Sequence, residues 1–426
     1  MYRIIAALLA ATSCVAVAQA QDIATPRAAQ VATNAFTLND AVAAAGGSAP
    51  AIEAAEAGIE AAEAGRRVAG LRPNPVAQAQ IENIAGTGAY NGLGSSETTV
   101  GFMQTLELGG KRSARVAVAS AELSRTELQA AIVGADVRLQ VTQLYVEAIA
   151  AERRLWAARD QARIAGDALR AASMRVQAGR ASPLEQQRAD VARVTAETNV
   201  ERQDRLARAA RTNLERRIGR PVERTLDIGL LDRLPSASYG PGAPMTAQGT
   251  LALAAADADL AVADANVRLA RANRVPNVDV GPSVRRLEAT NDFAAVFTLS
   301  LPLQVFDNGR AALDQASARR SQAAAQRRVS ALDIEQAITD ARAEADNAAT
   351  LARAASGPAL AAAQEAARIA RIGYREGKFG QLDLLDAERT LAETRVAAID
   401  ALAAYQNARA QLERLTAPAV APQGGN

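Results

Sequence analysis

The sequence predicts a mainly α-helical chain with a small β part, a duplicated unit of one β-hairpin followed by one long α-helical hairpin. Three observations predict it. Alanine and other strong helix formers dominate the 426 residues while aromatics are only 3%, a composition of long helices rather than of globular cores. Between Ser113 and Ala178 there is no Pro and only Gly134 and Gly166, so 66 residues can run as one helix roughly 100 Å long. Gly110-Lys111-Arg112 recurs as Asn308-Gly309-Arg310, a shift of 198, and the same shift carries Gly179 to Gly377 and Leu184 to Leu382.

The elements follow in order. Arg3, the apolar run Ile4 to Ala11 and Ala18-Gln19-Ala20 predict a secretory signal over residues 1–20. Cleavage before Cys14 with lipidation is the alternative, but Ala11 stands where a lipobox has Leu. Residues 21–218 make the first repeat: a helix over about 48–71, strands over 75–84 and 96–107, and a helical hairpin over 113–218. Residues 219–245, with four Pro and four Gly, are expected as an equatorial collar midway along the rod. Residues 246–416 repeat the plan with a helix to 274, strands over 277–286 and 293–304, and a hairpin over 311–416. A disordered tail is expected over 417–426.

Spacing sets the packing. Ile132, Leu139 and Val146 stand seven apart, as do Val137 and Leu144, and Leu384 and Leu391. Such narrow, Ala-diluted seams suit a wall one helix thick with neighbours on both sides. In the last strand Phe293, Ala295, Phe297, Leu299, Leu301 and Leu303 alternate with smaller or polar residues, giving a sheet two different faces. The alternation alone fits a half-buried strand of a soluble domain as well as a lipid-facing one. The rod-length helices argue against the globular domain. Four strands cannot close a barrel, and lipid tolerates no unpaired sheet edge, so hairpins in a membrane would require the chain to oligomerise.

The chemistry is bounded by what is missing. The chain has no His, and its one Cys, Cys14, lies in the signal. Disulfides in the mature chain, thiolate zinc sites and His-dependent catalysis are excluded, and no cofactor is expected. Carboxylate pairs could in principle hydrolyse glycosides, but helical rods offer no concave pocket, so the chain is not expected to be an enzyme. The net charge of +2, with both signs interspersed, gives no case for nucleic acid.

Tyr374-Arg375-Glu376-Gly377-Lys378-Phe379-Gly380-Gln381-Leu382-Asp383-Leu384-Leu385-Asp386-Ala387 resembles the Tyr-x-x-Gly-x(4)-Leu-Asp-x-Leu-Asp-Ala turn of TolC-type outer-membrane factors. Gln104 to Arg112 is similar to the strand-to-helix junction of their heavy-metal (Czc-type) branch. The resemblance covers nearly all of the mature chain. It implies a homotrimer whose twelve strands form one outer-membrane β-barrel and whose helices form a periplasmic α-barrel tunnel. The implied partners are outer-membrane lipid, a periplasmic membrane-fusion (adaptor) protein and an inner-membrane efflux pump of the resistance-nodulation-division type. The rival is a soluble periplasmic coiled-coil adaptor or structural rod without a pore.

Candidate site residues gather at the two helical turns. Asp383 and Asp386, three apart, share a helix face. Spacing alone favours carboxylates complementing a helix start; the resemblance implies instead stacked acidic rings that gate and select for cations. The resemblance places Gly377 at the periplasmic tip and makes Tyr374 part of a latch, with Lys378 and Phe379 in the same turn. Phe379 stands where the family usually has Arg. The first-repeat tip offers Gly179, with Glu185 and Arg188 at the positions equivalent to the two aspartates. Gly357-Pro358 is expected to kink the second long helix and is a candidate hinge.

Overall fold

A computed structural model describes residues 35–235 and 246–419. The expected signal, Cys14 and the Pro/Gly-rich stretch 236–245 lie outside the described residues, as do 420–426 of the expected tail. The helices are α1 (Leu38–Gly46), α2 (Pro50–Ala69), α3 (Lys111–Gln177), α4 (Pro183–Ile218), α5 (Leu251–Asn273), α6 (Arg310–Ala354), α7 (Leu360–Arg375) and α8 (Gln381–Leu415). The strands are β1 (Val76–Glu82), β2 (Glu97–Leu106), β3 (Val278–Leu287) and β4 (Asp292–Ser300).

The long helix is present as one piece. α3 runs 67 residues, and Gly134 and Gly166 interrupt nothing. The helix expected over 48–71 is α2, and a short helix that was not expected, α1, precedes it. Thr37 starts α1 by accepting from Asp40 N at 3.2 Å while its own N–H donates to Asp40 Oδ2 at 3.0 Å. The Thr37-x-x-Asp40 spacing is a capping box and was the signal for that extra helix. The chain then turns at Gly47–Ala49, where the Ser48 hydroxyl donates to Ile218 O at 2.8 Å and pins the break to the end of α4.

The wall is one helix thick. α3 packs against α2 and α5 in the half nearer the sheet and against α4 and α8 in the other half, while α6 packs on α5 and then α8. The one sizeable core lies where these halves meet. Val141, Tyr145, Val146 and Ile149 of α3 are fully buried there, with Leu214 and Ile218 of α4, Ala348 and Ala352 of α6, and Leu402 of α8. Residues 219–235 wrap this level: Leu226 pairs with Phe36, and Leu231 is buried among the helices. Tyr145 ties both segments down, its hydroxyl donating to Phe36 O at 2.6 Å and accepting from Asp227 N at 2.8 Å. Burial raises its pKa strongly, so it remains a neutral donor.

The four strands form one antiparallel sheet in the order β1-β2-β3-β4, the two repeats meeting where β2 pairs with β3. The outer edges of β1 and β4 pair with nothing among the described residues. Register gives the sheet one mainly apolar and one mainly polar face, with Thr98, Gln104 and Arg286 on the first and Met103, Leu287 and Val296 on the second. Ile81, Val100, Phe102, Val284, Phe293, Phe297 and Leu299 share one face and are all more than half exposed. Gln80, Glu82, Glu97, Thr99, Ser283, Arg285 and Thr298 share the other. In β2 and β3 the polar-face residues are the more covered, as expected when a sheet curls toward that face. Gly101 opposes Ser283 so closely that a Cβ would collide with it. β4 stops at Ser300 rather than 304: its partner β3 begins at Val278, opposite Leu301 in this register, so Leu303 continues the alternation with no strand residue across from it.

Two further expectations are corrected. The repeat offset is not constant. Gly110 (φ 72) and Gly309 (φ 70) both start the outgoing helix in the left-handed region, and they are 309 − 110 = 199 apart, whereas Gly179 and Gly377 are 198 apart. The second outgoing limb is one residue shorter. Residues 417–419, expected in the disordered tail, are instead held in place: Ala417 O accepts from Leu251 N and Ala419 N donates to Gly249 O.

Gly357-Pro358 does not break the helix. α6 passes into α7 through a π-helical turn, Ala355–Ala359. A π turn has a wider backbone ring than an α turn, and it accommodates a proline that lacks an N–H.

Candidate functional site

The two helical turns lie together at the end of the rod away from the sheet, and they are built alike. After α3, Arg180 N donates to Arg175 O at 2.8 Å and Gly179 takes φ 65. After α7, Lys378 N donates to Gly373 O at 2.8 Å and Gly377 takes φ 70. A left-handed glycine closed by this hydrogen bond is the usual way to end a helix and reverse the chain.

The second turn carries most of the predicted residues. Asp383 Oδ2 accepts from Gly380 N at 2.9 Å, so this carboxylate does cap the start of α8. Asp386 lies one turn on, and both are exposed. Lys378 is exposed in the turn, whereas Phe379 is half-covered. Its ring lies on the backbone of Gly373: a Cβ there would come within 2.6 Å of Cε2 and 2.8 Å of Cγ. Tyr374 is buried at 6% exposure among Ala370, Leu384 and Ala387. Its ring face receives the Arg175 guanidinium at 4.6 Å from α3, joining the two hairpins by a cation–π contact.

The first-repeat tip is brought against the second. Gln381 Nε2 donates to Glu185 O at 2.6 Å, linking the first turns of α4 and α8. Arg188 is exposed and joins no such contact with the aspartates, so the structure keeps the Glu185/Arg188 pair and the Asp383/Asp386 pair on separate helices. Gln381 Oε1, Glu185 Oε2 and the Tyr374 hydroxyl are covered yet find no partner within the protomer.

Above the turns a charged network crosses three helices. Arg371 of α7 binds the buried Glu388 of α8, its Nη2 at 2.8 Å from Oε2. Asp160 of α3 accepts from Arg163 at 2.6 Å and from Arg395 of α8 at 2.7 Å. Burial alone would raise the Asp160 pKa, but these two arginines outweigh it and hold it below its ordinary value. A groove of about 1010 Å³ runs beside the network, with Ala168, Ala196 and Leu384 on its floor and Arg202, Arg371 and Glu388 in its wall. Sequence reasoning missed Arg175, Gly373, Gln381 and the Arg371–Glu388 pair. Glu388 had a signal: it is an acid on the seam between Leu384 and Leu391.

Among the described residues no three His, Cys, Asp or Glu side chains are placed to hold a metal ion, and no helix is long and apolar enough to cross a membrane. The apolar face of the sheet is therefore the only extended apolar surface of strand geometry in the described chain, and it caps the end of the rod opposite the acidic turn.

The sequence pattern of the family described as outer membrane efflux protein matches residues 41–220 and 244–417. The chain belongs to that family. An outer membrane efflux protein of this build sits in the outer membrane, with its helical part extending into the periplasm. It is 28% identical over 384 residues to the cobalt-zinc-cadmium resistance protein CzcC of Cupriavidus metallidurans, covering 89% of this chain and 90% of that protein. In fold it is similar to CusC, a transmembrane channel (TM-score 0.74, 19% identity, 90% of this chain and 93% of that one). It is also similar to the open-state MtrE outer membrane channel of Neisseria gonorrhoeae (TM-score 0.73, 21% identity, 89% and 88%). The two matched segments of the family pattern coincide with the two repeats, α1 to α4 and α5 to α8.

Proposed function

We propose that three copies of this chain form the outer-membrane duct of a tripartite efflux system, carrying heavy-metal cations from a periplasmic pump complex to the outside. The observation that carries the proposal is the sheet: an exposed, mainly apolar face, a mainly polar face that is the more covered in β2 and β3, and two edges unpaired among the described residues. Closing β4 of one copy on β1 of the next satisfies both edges, turns the apolar face to lipid and encloses a polar lumen. A soluble adaptor rod has no use for such a face.

Carriage needs no chemistry from the subunit. The tunnel wall supplies a path and the tip supplies control. With threefold symmetry Asp383 and Asp386 form two acidic rings that draw cations and repel anions. The Arg175–Tyr374 contact holds the second hairpin to the first in place of the family's usual arginine, and the seat of Phe379 on Gly373 holds the second turn closed. The Gln381 bridge to Glu185 anchors the same hairpin, with Gly179 shaping the turn beneath it and Arg188 on the outer wall. The π turn at Gly357-Pro358 is the hinge about which α7 and α8 swing. The adaptor and a pump of the resistance-nodulation-division type are the partners, and the groove beside Arg371 and Glu388 offers the adaptor an apolar floor between charged walls. Similarity to CzcC supports a heavy-metal cargo. The test is outer-membrane fractionation with a heat-resistant trimer on a gel; a periplasmic monomer would refute the duct.

A further inference from the structure

Arg285 of β3 stands on the polar face near the loop end of the sheet. Its Nη1 donates to Glu97 Oε2 at 2.6 Å, its Nη2 to Glu82 Oε2 at 3.1 Å and its Nε to the Thr99 hydroxyl at 3.0 Å. Glu82 and Glu97 are directly opposite each other across β1 and β2, an arrangement of like charges that is destabilising unless a cation lies between them. Arg285 supplies that cation by reaching across β2. Asp292, at the start of β4, adds a third carboxylate on the same face. None of these residues belongs to the helical tip, which lies at the opposite end of the molecule.

We infer that the Glu82–Arg285–Glu97 bracket is a second charge filter, at the outer mouth of the barrel, in which Arg285 sets how strongly the exit favours cations. The inference rests on the trimeric channel reading above. Each copy then contributes three carboxylates and one guanidinium to the mouth, a net charge of −2, and three copies contribute −6. Removing the guanidinium makes the ring −9; neutralising both glutamates makes it zero, with Arg285 balanced by Asp292. Low-dielectric walls focus such fields and change the local concentration of small ions by about tenfold or more. The exit of a cation duct gains from a moderate rather than a maximal negative field, because ions must leave as readily as they enter. Arg285 moderates it.

The test is the reversal potential of the full-length trimer in a planar bilayer under a KCl gradient. The background is Asp383→Ala/Asp386→Ala, so that the tip carboxylates no longer contribute. Arg285→Gln is expected to raise the cation-to-anion permeability ratio severalfold, and Glu82→Gln/Glu97→Gln to lower it severalfold. Opposite shifts from one bracket are not the signature of a loosened barrel, and Arg285→Lys should restore the parent ratio. A conducting trimer whose ratio is the same in all three variants would overturn the mouth filter alone. Failure of the unaltered chain to form any conducting trimer would overturn the channel reading and the filter with it.

Discussion

Replacing Gly373 with alanine puts a methyl group into the space that the Phe379 ring fills. The new Cβ would lie 2.6 Å from Cε2 and 2.8 Å from Cγ, so the ring must leave. Phe379 is 42% exposed, which means that roughly half of its side chain is covered in this seat. Full burial of a Phe contributes about 1.5–3 kcal/mol, so expulsion costs ~1–2 kcal/mol. Against this, Gly→Ala inside a helix stabilises by ~1 kcal/mol. Gly373→Ala alone is therefore expected to be near neutral overall, destabilising by at most ~1 kcal/mol. Phe379→Ala alone should cost ~1–2 kcal/mol, and once the ring is gone Gly373→Ala should become stabilising by ~1 kcal/mol. The sign reversal is the prediction. It is read by hydrogen exchange at the amides of Lys378 and Phe379, which both donate to Gly373 O. If the two substitutions act additively, the ring does not hold the turn, and the account of what replaces an arginine latch fails.

Three other expectations follow from the same geometry. Tyr145→Phe removes the partner of two buried backbone groups, Phe36 O and Asp227 N, and should destabilise the equator by ~1–3 kcal/mol; protease sensitivity confined to residues near 36 and 227 checks it, and an unchanged pattern would refute the clasp. Pro358→Ala lets an ordinary helix replace the π turn and should change tip opening; transport and conductance identical to the parent would remove the hinge. The Asp160 carboxyl is held below its ordinary value of 3.8, so its arginine contacts contribute fully above that value and are lost as pH falls through the lower folded value. Exchange protection of α3 around Asp160 should be constant from pH 7 to about 5 and weaken only below about 4, whereas a loss near pH 6 would contradict the assignment.

The broad plan was legible in the sequence because it is written in local periods. The Pro-free run from Ser113 gave α3 to within two residues, and alternating Phe, Ala and Leu gave β4. The readings that failed turn on partners distant in sequence or on single-residue phase. β4 cannot run on to 304 because β3 supplies no strand residue beyond Val278, a fact absent from β4 itself. The one-residue slip from 198 to 199 is hidden because Gly309 and Arg310 can be aligned either way with the Gly109–Arg112 segment; only the positive φ of Gly110 and Gly309 settles it. The candidate tip residues were visible as a motif, yet their contacts were not. Arg175 and Tyr374, or Gln381 and Glu185, meet across about 200 residues, and neither member carries a local pattern announcing the other. Seam arithmetic would have exposed one of the missed features, the lone acid at Glu388.

The central claim, a trimeric duct that selects cations at its helical tip, is tested most directly by the ion selectivity of the purified full-length protein in a planar bilayer. The account predicts a mostly closed, cation-selective pore whose selectivity falls in Asp383→Ala/Asp386→Ala. An anion-selective pore, or a double variant indistinguishable from the parent, would contradict it.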